Sequence, residues 1–214
     1  MIEAVIFDMD GVIIDTESFS ESVELPFLKS RALEWKEGYE NQIRGSSPEN
    51  VYNFLKTHGG VKAELREFLT QYWLLSEDVY NNQVSLTNGF HETVQNLRAN
   101  NLKIALASST PRKFVDIVVN RFSLSPYFEV IMSGDNILHP KPHPEIYLVT
   151  MQKMGITAPN AVAVEDSYNG FLSAKRACLK GIGLKTNYNK SHLYLSDTTI
   201  SDLRELTLDK LLTL

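Results

Sequence analysis

Residues 4–17 read AVIFDMDGVIIDTE. Four apolar residues, Ala4 to Phe7, run without alternation into two carboxylates, Asp8 and Asp10, with only Met9 between them. An unbroken apolar run suits a strand buried on both faces, and such strands belong to parallel sheets sandwiched between helices. The same signature recurs at Ile104–Ala107, Val130–Met132, Ala161–Val164 and Ile182–Leu184. Helical patterning separates these runs, around Gly89–Asn100, Pro111–Arg121, Pro144–Met154 and Tyr168–Cys178. This alternation predicts an α/β fold, a Rossmann-like parallel sheet with right-handed crossovers.

One segment breaks the rhythm. Residues 16–83 contain no strand-like run, only helical stretches such as PENVYNFLKTH and AELREFLTQYWLLSEDVYN. They are read as an α-helical cap domain inserted into a core made of residues 1–15 and 84–214. Both tryptophans, Trp35 and Trp73, fall in the insert, where packing is the expected role. The tail, TTISDLRELTLDKLL, reads as a last short strand and a closing helix.

A chain of 214 residues can bury one sizeable core plus a small appended domain. The net charge of -5, with signs interspersed, offers no basic stripe for nucleic acid. No run of about 18 apolar residues is available to span a membrane, and the first residues enter a strand without the basic flank of a leader. A single cysteine, Cys178, cannot form an internal disulfide and fits a reducing compartment. The expectation is a cytoplasmic globular protein, with Cys178 buried as a small apolar residue of the last long helix.

In open parallel sheets, ligands bind outside the carboxyl ends of the strands. Asp8 and Asp10 follow the first run, Ser108, Ser109 and Thr110 the second, and Glu165 and Asp166 the fourth. Asp10-Gly11 alone could be an ordinary turn dipeptide; a second acidic pair at another strand end points instead to a shared cation. The donors are all oxygen, with no cysteine or histidine cluster, which suits Mg²⁺. In ASST, Pro111 fits the first turn of a helix capped by Ser109 or Thr110, and the helix start with the Ser108 hydroxyl forms an anion site. In HPKPHPEIYL, flanking prolines hold Lys141 in an extended segment, and they exclude a helical zinc face between His139 and His143. In AVAVEDSYNG, Asp166 is a candidate metal ligand, and Glu165 a partner bound directly or through water. Ser167 is a possible helix cap, and Gly170 permits close backbone approach.

FDMDGVIIDTE, ALASST, KPHPEIYL and VEDSYNG together resemble the four motifs of the haloacid dehalogenase superfamily, in order and over essentially the whole chain. Within it the sequence is similar to the β-phosphoglucomutase-like phosphatases, which carry a helical cap after the first strand. The resemblance implies a Mg²⁺-dependent phosphatase acting on a small phosphorylated metabolite, with Asp8 as nucleophile and Asp10 as general acid and base. It implies phosphate binding by Ser108 and Lys141, joined by Ser109, and Mg²⁺ held by Asp8, the Asp10 carbonyl and Asp166, with Glu165 beside them. Arg44 either reaches a substrate anion or is a solvated surface charge. Sugar phosphomutases are the alternative, but their pattern departs at Ser20, Pro48 and Pro111, where proton-handling or basic residues are expected. A catalytically silent relative would have lost one of Asp8, Asp10, Lys141 or Asp166; all four are present.

Overall fold

The computed structural model describes residues 2–16, 19–43, 46–187 and 189–214. In chain order, β1 (Ala4–Phe7) is followed by the short β2 (Ile14–Asp15), then by helices α1 (Leu25–Arg31), α2 (Tyr39–Ile43), α3 (Pro48–His58) and α4 (Leu65–Asp78). The chain continues through β3 (Ser85–Leu86), α5 (Phe90–Ala99), β4 (Lys103–Ala107), α6 (Arg112–Arg121) and β5 (Val130–Met132). It closes with α7 (Glu145–Met154), β6 (Ala161–Glu165), α8 (Tyr168–Arg176), β7 (Lys180–Leu184), β8 (Thr198–Ile200) and α9 (Leu208–Leu212). The fold is the expected α/β architecture, a six-stranded parallel sheet in the order β5-β4-β1-β6-β7-β8.

The sheet explains the unbroken apolar runs. Every residue of β1 is fully buried, because β4 and β6 flank it and helices cover both faces. On one face, Ile146, Tyr147, Met151 and Met154 of α7 pack against Ile6, Ala105, Ala107 and Ala163. Small alanines in the strands leave room for the long side chains of the helix. β1 lies at the topological switch: the chain crosses to β4 on one side and returns to β6 on the other, which opens a crevice at its carboxyl end.

The chain divides into two compact units, residues 1–15 with 85–214, and residues 16–84. The smaller unit has its own core of Leu28, Tyr39, Ile43, Val51, Tyr52, Leu55 and Phe68. Its aromatic edges meet: Tyr52 and Phe68 rings lie 5.3 Å apart, and Trp35 stands edge-on to Tyr39 at 5.7 Å. Ser47 caps α3 by accepting from Asn50 N–H at 3.3 Å, with Pro48 in the first turn.

One feature adds to the expected fold and one expectation is corrected. The added feature is the short antiparallel ladder of β2 and β3, pairing Ile14 with Leu86 and Asp15 with Ser85; two residues per strand are too few to show a periodicity in the sequence. Cys178 is exposed, not buried. The helix α8 ends at Arg176, and Cys178 takes the left-handed conformation, φ +61°, beyond it. Its N–H donates to Lys175 O and that of Leu179 to Ala174 O, the bond pair of a Schellman stop. Ala177 and Leu179 take the buried positions and turn the thiol to solvent. Among the described residues, no helix is long and apolar enough to cross a membrane.

Candidate active site

The carboxyl end of β1 continues into a tight turn. Met9 O accepts from the N–H groups of Ile13 at 2.8 Å and Ile14 at 3.0 Å, while Gly11 N–H returns to Ile14 O at 2.9 Å. Gly11 has φ +76°, and a Cβ there would lie 2.1 Å from Asp166 Oδ2. Only glycine both adopts this backbone and lets the Asp166 carboxylate lie against it. The turn thus seats Asp8 and Asp10 opposite the end of β6.

Asp8 N–H donates to Val164 O at 3.0 Å, which extends the β1–β6 pairing by one residue and buries the side chain. Lys141 reaches it from the loop before α7. Its ammonium donates to Asp8 Oδ1 at 2.7 Å, to Glu165 Oε1 at 2.6 Å and to Ala107 O at 3.0 Å. Lys141 is only 5% exposed and Glu165 is 0% exposed, so these are bonds of a dry interior. Tyr147 O–H also donates to Glu165 Oε1. Gly170, early in α8, lies so close to Glu165 that a Cβ would stand 1.9 Å from Oε2. Ser167 caps that helix by accepting from Gly170 N–H at 3.0 Å.

One oxygen each from Asp8, Glu165 and Asp166 lie within 4.8 Å of one another. A pair of carboxylates repels by about 4 kcal/mol at 4 Å and an effective dielectric near 20, and Lys141 supplies a single compensating charge. Burial, reinforced by Asp8, outweighs the Lys141 ammonium and pushes Glu165 up to about 7. Asp166 is raised well above the ordinary carboxylate range by burial and then by Asp8, Glu165 and Asp10. Burial works against the charge of Lys141, but Asp8 and Glu165 together prevail and raise its pKa. A surplus of oxygen-only, partly desolvated negative charge fits a small hard dication such as Mg²⁺.

The serine stretch departs from expectation. The helix α6 begins at Arg112 with Pro111 at its cap, and neither Ser109 nor Thr110 caps it. Proline fixes an extended entry, and Arg112 N–H is met instead by Asp135 Oδ2 at 2.8 Å. Ser108 is buried at the end of β4 and accepts from Thr110 N–H at 3.0 Å. Thr110 turns its hydroxyl onto Asp10 Oδ2 at 2.6 Å. Ser109 Oγ is buried and has no hydrogen-bond partner among the described residues. Arg44 lies outside the described residues. The rings of His139 and His143 touch at 4.7 Å, on the loop that carries Lys141.

Two residues at this edge carry no signal in the sequence, and a third has a role other than the expected one. Tyr147 was hidden in the apolar face of α7, although a buried phenol must find an acceptor. Thr110 is one of two alternative caps that the sequence offers, with Ser109, and bonds Asp10 instead. Asn189, 3% exposed, donates to Asp166 O at 3.0 Å and to Leu184 O at 2.7 Å. It pins the segment after β7 to the backbone of Asp166, and nothing in its neighbourhood in the sequence signals it.

The family model described as haloacid dehalogenase-like hydrolase matches residues 5–184. The phosphorylated carbohydrates phosphatase of Thermotoga maritima is 30% identical over 180 residues, covering 84% of this chain and 83% of that protein. Hexitol phosphatase B of Escherichia coli K12 is 29% identical over 223 aligned positions, 98% of this chain and 96% of that one. The crystal structure of CbbY from Rhodobacter sphaeroides with xylulose 1,5-bisphosphate has a TM-score of 0.83, covering 98% of each chain at 21% identity. At that identity the likeness is one of fold.

Proposed function

Because the chain belongs to the haloacid dehalogenase-like hydrolase family, we propose that it is a Mg²⁺-dependent phosphatase that hydrolyses a small phosphomonoester through an aspartyl phosphate. The observation that carries the reading is the constellation of buried Asp8, Lys141 and Glu165 with half-buried Asp166 at the switch point of the sheet. The names of the relatives favour a sugar phosphate or similar metabolite as substrate.

Asp8 is the nucleophile. Its carboxylate attacks phosphorus and the ester P–O bond breaks, while Asp10 in its acid form gives its proton to the departing oxygen. Asp10, now a carboxylate, removes a proton from water as the water oxygen attacks phosphorus. The Asp8–phosphorus bond then breaks, which returns Asp8 and frees inorganic phosphate. The Thr110 hydroxyl holds Asp10 Oδ2 and so fixes where the proton is delivered.

Lys141 neutralises the approach of one anion to another, and the hydroxyls of Ser108 and Ser109 donate to phosphoryl oxygens. Ser109 suits this role because its buried oxygen has no partner among the described residues, a state that costs about 1–3 kcal/mol until a ligand satisfies it. Asp8, the Asp10 carbonyl and Asp166 would hold Mg²⁺, with Glu165 beside them and engaged with Lys141. When bound, the cation neutralises phosphoryl charge.

The test is phosphate release from a panel of sugar phosphates and other phosphomonoesters, with Mg²⁺ and after exhaustive chelation. Wild-type turnover should require the metal. Asp8→Asn should abolish turnover and phosphoenzyme, and Asp10→Asn should lower turnover by about 10²–10⁴-fold. Efficient conversion of β-glucose 1-phosphate to glucose 6-phosphate, primed by the bisphosphate and with little phosphate released, would make the enzyme a mutase. Full turnover by Asp8→Asn would overturn the mechanism itself.

A further inference from the structure

The Lys141 ammonium has three N–H donors, and the structure engages all of them, with Asp8 Oδ1, Glu165 Oε1 and Ala107 O. A phosphoryl oxygen can therefore be met only if one of these bonds yields. Asp8 is the partner that loses its negative charge on phosphorylation, so its bond is the one to transfer. The other two must then hold the ammonium still. The Ala107 carbonyl is fixed in the sheet at the end of β4. Glu165 is a side chain, and its rigidity has to come from its surroundings.

Two features supply it. The α-carbon of Gly170 closes the Oε2 side. On the other side the Tyr147 hydroxyl donates to Oε1, the same oxygen that accepts from Lys141. The Tyr147 ring lies 5.1 Å from the ammonium and is wholly buried among apolar neighbours on α7. Phenylalanine would fill that volume equally well; the hydroxyl is what packing leaves unexplained.

We propose that Tyr147 is a positioning residue for phosphoryl transfer, acting through Glu165. Its phenol locks the carboxylate that anchors Lys141 while the lysine passes one hydrogen bond from Asp8 to the phosphoryl group. The inference rests on the phosphatase reading above and names a further part of that site.

Tyr147→Phe removes one oxygen and keeps the ring. It should lower kcat/KM for p-nitrophenyl phosphate about ten-fold, mainly in kcat, the effect of one hydrogen bond to a charged group. The inhibition constant of orthovanadate should rise by a similar factor, and assays well below each melting midpoint keep folding out of the comparison. The double variant with Glu165→Gln should be no slower than Glu165→Gln alone, because both act on one anchor. Wild-type kcat/KM in Tyr147→Phe, losses that multiply in the double variant, or unchanged vanadate inhibition would each overturn the inference and leave the phosphatase reading standing. A wild-type chain with no Asp8-dependent hydrolysis would overturn both.

Discussion

Gly170→Ala should destabilise the larger unit, although helix propensity alone predicts the opposite. Alanine is favoured over glycine in a helix by about 1 kcal/mol, and Gly170 sits in the first turn of α8. An added Cβ, however, would stand 1.9 Å from Glu165 Oε2, 2.1 Å from Cδ and 2.4 Å from Oε1. Contacts that short cannot persist. Either α8 shifts, at an overpacking cost of about 1–3 kcal/mol, or Glu165 leaves Lys141. Breaking a buried pair typically costs about 3–5 kcal/mol. The cheaper route governs, so the net loss after the propensity gain should be up to about 2 kcal/mol. Urea unfolding should be followed by far-UV circular dichroism. Tryptophan emission would mislead, because Trp35 and Trp73 both lie in the 16–84 unit. Gly181→Ala is the control: its new Cβ would meet nothing closer than 3.8 Å, and stability should hold or rise by up to about 1 kcal/mol. A Gly170→Ala protein stabilised by the full propensity gain of about 1 kcal/mol would refute the claim that Glu165 is locked in place.

The pH dependence of the metal-free protein carries a definite sign. Burial and then Asp8 raise Glu165 from 4.5 to about 7, so between those values the folded chain binds more protons than the unfolded one. That contribution is complete below about 4.5 and is lost as pH rises through about 7; a chelated sample should lose stability across the window and Mg²⁺ should flatten the slope. A chelated profile that rises over the same range would contradict the sign. Ser47→Ala should cost about 1 kcal/mol by removing the α3 cap. Here tryptophan emission is the right probe, and an unmoved unfolding midpoint would count against the cap.

Much of the fold was legible because continuous burial leaves a continuous apolar string. The runs at β1, β4, β5, β6 and β7 all fall on strands of the sheet. The polar residues that end them come together because parallel strands present their carboxyl ends at one edge. Asp8, Asp10, Ser108, Glu165 and Asp166 were therefore readable as a group, although the first and last stand more than 150 positions apart. Chain direction and strand order did that work, and neither depends on side-chain detail.

What stayed illegible is where a side chain chooses among partners that are equivalent in the sequence. A hydroxyl before a proline suits a helix cap, but Thr110 found Asp10, one hundred positions away. A tyrosine in the apolar face of α7 differs from a core phenylalanine by one oxygen, and that oxygen takes Glu165. Asn189 pins Asp166 from a segment with no patterning at all. Thr110 and Tyr147 each bind a carboxylate named from its strand end, and Asn189 binds the backbone of a third residue named the same way. Strand order can gather such carboxylates at an edge, but it cannot hold them at hydrogen-bond distance against mutual repulsion. That second task falls to lone hydroxyls, amides and missing Cβ atoms, which follow no period. The chemistry of this edge is thus written at strand ends, and its precision at positions that local sequence does not distinguish.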